Sequence, residues 1–307
     1  MDKQRQAAHS IKLALGPIQY FWSREMIMDF YRDMSKTPID IIYLGETVCA
    51  KRRQLSFGDW FDLASKLTAC GKQVVLSTLT LVEAESELSA MKKICHNGHF
   101  LVEANDMAAV EILSREQIPF VAGPFINIYN GHSLELLARQ GMVRWVMPVE
   151  LSKATLTQIM HATSAPVRQQ VETEVFSYGR MPLAFSARCF TARAYGLPKD
   201  NCQFICARHD EGLLMKSQED QTVFNINGIQ TQSGEIYNLL QQTPAMKKIG
   251  VDIMRLSPQA RGMEEVIQQF HLARTSMREI APDPAGCNGY WFQRAGMENC
   301  YVKDKRL

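Results

Sequence analysis

Four cysteines are the residues in this chain best suited to chemistry, and they lie in two distant places. Cys49 stands alone in Tyr43-Leu-Gly-Glu-Thr-Val-Cys49-Ala-Lys-Arg-Arg53, whereas Cys189, Cys202 and Cys206 share one irregular stretch. Four thiolates are what a 4Fe–4S cluster or a structural zinc ion requires. Cys202 and Cys206 are separated by three residues, a spacing that metal sites use, and His209 follows three residues later, which keeps a mixed Cys/His zinc site open. Arg52 and Arg53 adjoin Cys49, and Arg188 and Arg193 flank Cys189; nearby cations favour the thiolate form. Cys70 and Cys95, at the ends of helical stretches, read as small buried apolar residues. Cys300 falls in a polar tail, and Cys287 is an outside candidate for the site.

A second set of reactive side chains follows short apolar runs. Glu46, Glu103, Asn105, Asn127, Asn130 and Glu150 come just after such runs, while Glu174 and Arg255 lie within them. Glu46, Glu103, Glu150 and Arg255 are the candidates for binding or proton transfer. Anchoring of loop amides is the alternative role for the same groups.

The elements that must position these residues alternate. Runs rich in β-branched residues predict strands near Ile11–Gly16, Ile39–Gly45, Gln73–Ser77, Phe100–Glu103, Phe120–Ala122, Arg144–Pro148, Val171–Phe176 and Asp252–Leu256. Helical periodicity predicts helices over Arg24–Met34, Trp60–Ala69, Leu81–Cys95, Met107–Arg115, Ser133–Gln140, Lys153–Ala162 and Glu264–Met277. Eight strands alternating with helices is the pattern of a (β/α) barrel, with a doubly wound open sheet as the alternative. The alternation breaks between Phe176 and Val251, too long a gap for a plain loop. It reads as a cysteine-bearing insertion after the seventh strand, at about 177–250, with an extra strand at Gln221–Asn227 and a helix at Gly234–Gln242. Residues 11–300 then form a single domain, preceded by a disordered extension over residues 1–10. In a barrel the loops at the carboxyl ends of the strands carry the chemistry. Cys49 and the insertion both leave that face, so the fold lets the two cysteine regions meet over its mouth.

Composition narrows the function classes. The 307 residues are 46% hydrophobic and 21% charged, ordinary for a globular protein. A net charge of +2 gives no domain-wide basic field for nucleic acid. No apolar run approaches the ~18 residues of a spanning helix, and the start lacks the apolar stretch of a signal peptide. The expected location is the cytoplasm, where eight cysteines suggest metal over disulfides.

Glu174-Val-Phe-Ser-Tyr-Gly179 followed by Phe185-Ser-Ala-Arg-Cys189 resembles the signature of the collagenase-like peptidase family. The resemblance is most specific to a branch that serves anaerobic ubiquinone biosynthesis. It extends through Gln73-Val-Val-Leu-Ser-Thr78, Arg144-Trp-Val-Met-Pro-Val-Glu-Leu-Ser152, Asn227-Gly-Ile-Gln-Thr231, Arg255-Leu-Ser-Pro-Gln259 and Cys287-Asn-Gly-Tyr-Trp291, nearly the whole chain. One departure stands out. The family usually has a cysteine shortly after the Glu-Val-Phe motif, and Pro182 occupies that place here. The resemblance implies that Cys49 supplies the missing ligand and that Cys49, Cys189, Cys202 and Cys206 hold a 4Fe–4S cluster. With all four ligands from protein, such a cluster suits electron transfer. The resemblance further implies a heterodimer with a UbiU-like protein and oxygen-independent hydroxylation of a prenylated phenolic precursor. Prephenate is the implied oxygen donor, and a UbiT-like lipid-carrier protein presents the substrate.

Three other functions compete. Hydroxylation of an RNA base, as elsewhere in the family, needs a phosphate-binding surface that the balanced charge supports poorly. Proteolysis needs a nucleophile with a base; the chain has no Gly-x-Ser-x-Gly or His-Glu-x-x-His, and its seven histidines include no obvious candidate for a cysteine's partner beyond His209. A non-catalytic, zinc-stabilised partner protein is the third.

Overall fold

A computed structural model describes residues 10–275 and 286–301. Most of the expected amino-terminal extension therefore lies outside the described residues.

Eight short strands form the barrel: β1 (Lys12–Leu15), β2 (Ile41–Leu44), β3 (Gln73–Ser77), β4 (Leu101–Ala104), β5 (Phe120–Ala122), β6 (Met142–Met147), the first part of β7 (Glu172–Phe185) and β11 (Ile253–Leu256). Each pairs in parallel with its neighbour, and β11 closes the ring by pairing with both β1 and β7. The eight expected strands are all present, and closure settles the choice between a barrel and an open sheet. Helices cover the outside, and their first residues show why they begin where they do. Ser23, Ser56, Asp106, Asn130 and Ser152 each accept a backbone N–H from the first turn of the following helix, which satisfies donors that the helix cannot. The helix Arg24–Met34 buries Ile27, Tyr31 and Met34, spaced as one helical face. Within the barrel, Ala14, Ile41, Tyr43, Val75, Val121, Val146 and Ile253 form a small core of their own, separate from the larger core beneath the helices.

The insertion differs from its expected form. β7 does not end at Phe176; it runs fourteen residues to Phe185. Its first half pairs with β6 and β11, and its second half pairs antiparallel with β10 (Gln230–Asn238). β9 (Thr222–Asn227), matching the expected extra strand, and β8 (Leu213–Lys216) complete the second sheet in the order β7-β10-β9-β8. The helix expected at Gly234–Gln242 is replaced by the second half of β10 and a single turn at Leu240–Gln242. Pairing of Ile236, Tyr237 and Asn238 with β7 decides that segment, overriding its local pattern.

Gly179 lets β7 serve both sheets. Its φ is +119°, and a Cβ there would lie 2.6 Å from the Cβ of Ser257. Both the backbone and the space demand glycine. Gly179→Ala is expected to destabilise the protein by about 2–4 kcal/mol, read as a lower urea midpoint.

Candidate functional site at the barrel mouth

The interior of the barrel carries a ladder of buried charge. At the amino-terminal end, Lys12 Nζ meets Glu172 Oε1 at 2.9 Å. Arg144 donates from Nε and Nη2 to Glu172 Oε2 at 2.9 and 2.7 Å, and from Nη1 to the Tyr43 hydroxyl at 2.9 Å. Tyr43 passes its own proton donor to Glu174 Oε2 at 2.5 Å. Arg255 Nε donates to Glu174 Oε1 at 2.6 Å, and its Nη1 pairs with Glu103 Oε1 at 2.7 Å. Glu103 Oε2 accepts from Ser77 Oγ at 2.7 Å and from Asn105 Nδ2 at 3.3 Å, next to the carboxyl ends of the strands. The Arg255 guanidinium also lies over the Tyr43 ring, 4.1 Å from its centre. Tyr43, Glu103, Arg144, Glu174 and Arg255 are all buried.

Burial and pairing set the protonation states. Burial pushes the Tyr43 hydroxyl well above its ordinary range, so it stays a donor. Burial works against the charge on Arg255, but Glu103 and Glu174 outweigh it and raise its pKa further. Arg144 is held charged in the same way by Tyr43, Glu174 and Glu172. Arg255 Nη2 has no hydrogen-bond partner among the described residues, nor has Asn105 Oδ1, the acceptor on the side chain whose Nδ2 reaches Glu103. A buried unpartnered donor of this kind calls for an explanation.

Of the four polar candidates, the fold therefore unites Glu103 and Arg255. Glu46 turns back on its own loop, where Oε1 accepts the N–H groups of Val48 and Cys49 at 2.8 and 3.0 Å. Glu150 is exposed on the rim and accepts from the Tyr129 hydroxyl at 3.2 Å. Burial, with Glu150 beside it, pushes Tyr129 up to about 12. Sequence reading missed Tyr43, Ser77 and Arg144 as members of the site. An arginine inside the apolar run Met-Val-Arg-Trp-Val-Met was the available signal.

The cysteine regions do approach each other. Burial raises the Cys49 thiol, the nearby Arg52 charge lowers it, and Cys206 is close enough to raise it. Burial likewise raises Cys206, with Arg52 opposing and Cys189 and Cys202 adding to the rise. Arg52 is the clamp here. It is buried, and it donates from Nη1 to Gln19 O at 2.7 Å and from Nη2 to Asn227 Oδ1 at 2.8 Å. Lys51 Nζ reaches Lys199 O at 2.8 Å, tying the Cys49 loop to the segment before Cys202.

The expected 4Fe–4S cluster is nevertheless corrected. Among the described residues, no group of three or more His, Cys, Asp or Glu side chains is placed to hold a metal ion. Cys189 Sγ is engaged at a helix start, accepting the Ala192 N–H at 3.4 Å. His209, the possible zinc partner, has its Nε2 on the Tyr195 hydroxyl at 2.8 Å. Cys70 is exposed rather than buried, while Cys95 is buried as expected.

The architecture is a closed eight-stranded (β/α) barrel with a ladder of buried charge running through its interior. The sequence profile of peptidase family U32 matches residues 28–293, and the chain belongs to that family. Among solved structures, the U32 peptidase Mk0906 is similar at 11% identity, with a TM-score of 0.46 over 82% of this chain and 94% of that one. A type I 3-dehydroquinate dehydratase from Clostridium difficile is similar at 8% identity, with a TM-score of 0.46 over 88% and 94% of the two chains. Among the described residues, no helix is long and apolar enough to cross a membrane.

Two measurements probe this site. Tyr43→Phe leaves Arg144 Nη1 and Glu174 Oε2 each short of a buried partner, with an expected loss of about 1–3 kcal/mol in denaturant unfolding. Arg52→Gln removes the charge that lowers Cys206, so iodoacetamide labelling of Cys206 at pH 8, mapped by mass spectrometry, slows. Faster labelling would mean that Arg52 acts only as a clamp.

Proposed function

We propose that this chain is one subunit of an oxygen-independent ring hydroxylase, similar to the ubiquinone biosynthesis protein UbiV. Its partner is a UbiU-like member of the same family. A UbiT-like lipid carrier brings the prenylated phenolic substrate, and prephenate is the oxygen donor. The motif resemblance along nearly the whole chain supports the choice of reaction, and family membership supports an enzymatic role.

The observation that carries the reading is the buried Glu103–Arg255–Glu174–Tyr43 cradle with Arg255 Nη2 left free. Hydroxylation replaces a ring C–H by C–OH. The chain's residues bind and orient the ring: Arg255 Nη2 donates to a ring oxygen, and Glu103 takes up the proton that leaves the ring carbon. Two electrons and a proton leave with each ring C–H that becomes C–OH, so the reaction requires an electron acceptor; the reading assigns that role to an iron–sulfur centre of the UbiU-like partner, reoxidised by an external electron acceptor. Glu46 keeps the Cys49 loop in shape through its amides, and Glu150 holds Tyr129 at the entrance. Peptide hydrolysis through Cys206 finds no such support, since His209 is committed to Tyr195.

The test is anaerobic turnover of the prenylated phenol by the chain co-purified with its UbiU-like partner, followed by mass spectrometry. Product is expected only with both chains present, and Glu103→Gln is expected to lower the rate by about 10²-fold, the scale of one acid–base group. Full activity from the partner alone would overturn the proposal.

A further inference from the structure

We infer that the barrel mouth of this chain selects an uncharged ring oxygen, a phenol hydroxyl or a quinone carbonyl, and rejects carboxylates. The inference deepens the hydroxylase reading, on which it rests for the identity of the ring. Its consequence is that a carboxylate-bearing co-substrate is held elsewhere in the assembly.

The charge around Arg255 is already matched. Arg255 meets two carboxylates directly, Glu174 through Nε and Glu103 through Nη1. Glu174 is shared with Tyr43, a neutral hydroxyl, and lies 3.9 Å from Arg144 Nε. Arg144 is itself matched by Glu172, which Lys12 pairs in turn. Lys12, Arg144 and Arg255 are thus three cations facing three carboxylates, Glu172, Glu174 and Glu103. No cationic charge in this ladder is left over for an incoming anion.

The free donor is nevertheless real. Arg255 Nη2 is buried and has no hydrogen-bond partner among the described residues. A guanidinium in this position needs an acceptor oxygen, but not another negative charge. A carboxylate there would become a third anion around one guanidinium, close to Glu103 and shielded from water, where like charges repel most strongly. A phenol or carbonyl oxygen satisfies Nη2 with no such repulsion. The Tyr43 ring covers one face of the Arg255 guanidinium, and the Nη2 hydrogens lie in the guanidinium plane, so an acceptor oxygen meets Nη2 edge-on.

The test is calorimetric titration of the full chain with phenol and with benzoate, two flat six-membered rings that differ in charge. Phenol is expected to bind at least tenfold more tightly than benzoate. Glu103→Gln, with its fold checked by circular dichroism, leaves Arg255 one carboxylate short, and benzoate affinity is expected to rise at least tenfold. Arg255→Lys keeps the charge but removes Nη2, and phenol affinity is expected to fall at least tenfold. Benzoate binding as tight as phenol in the unaltered chain, or binding of neither because the site holds only ordered water, would overturn the inference. The unaltered chain decides this even if a variant fails to fold. Binding is read without turnover, so an inactive assembly whose mouth still prefers phenol would sink the hydroxylase reading and leave the selectivity standing.

Discussion

Two guanidinium groups inside a closed barrel set the terms for everything around them. Arg144 and Arg255 are almost completely buried. A charge in that position is tolerated only when paired and hydrogen-bonded, and stripping one partner from a buried pair costs about 3–5 kcal/mol. Glu172, Glu174 and Glu103 meet that demand from β7 and β4, with Tyr43 bridging from β2. The ladder draws on β1, β2, β3, β4, β6, β7 and β11, so the same contacts that neutralise the arginines also fix how the strands register around the ring. Close backbone packing follows the same need. A Cβ on Gly123 would fall 1.9 Å from Asn105 Oδ1, and a Cβ on Gly45 would fall 2.5 Å from the Ser77 carbonyl oxygen. Both glycines make room for residues that reach Glu103.

Much of the barrel was legible because its strands are short, β-branched and separated by helices with one apolar face. Glu103 and Arg255 were legible for a related reason: polar residues at strand ends face the mouth. Tyr43 and Arg144 were harder, since each sits inside a run that reads as buried strand, and a period-two pattern says nothing of partners across the ring. The second half of β7 and the path of β10 were not legible. Their conformation comes from pairing between segments about fifty residues apart, and Gly234–Gln242 taken locally favours a helix. The convergence of the cysteine regions followed from topology, but protonation and ligand geometry depend on burial and on Arg52, which no spacing reveals.

The insertion is fastened to the barrel by amides rather than by charge alone. Gln230 Nε2 donates to Gln19 Oε1 at 2.6 Å, Asn227 Nδ2 to Gln19 O at 2.7 Å, and Trp22 Nε1 to Asp210 O at 2.7 Å. Arg52 joins this seam from the Cys49 loop. Gly228, at φ +67°, turns the β9–β10 hairpin where a Cβ would lie 2.9 Å from Arg52 Nη2. Its backbone also receives the start of the Cys189 helix, through Phe190 N at 3.0 Å. The loop after β1, the Cys49 loop and the Cys189 helix therefore hold one another in place.

The continuity of β7 gives the outer hairpin a mechanical relation to the ladder. Glu174 and Gly179 are five residues apart on one extended strand, about 16 Å at the usual rise. One end holds the carboxylate that Arg255 depends on; the other begins the sheet that carries β10, β9 and β8. Between the two, the register of β7 against β11 shifts at Phe176 and Tyr178, and the strand passes from pairing with β6 and β11 to pairing with β10. The carboxylate that Arg255 depends on and the sheet that protrudes from the barrel thus hang from one strand, and that shared strand is the shortest covalent path between the outer hairpin and the arginine in the barrel mouth.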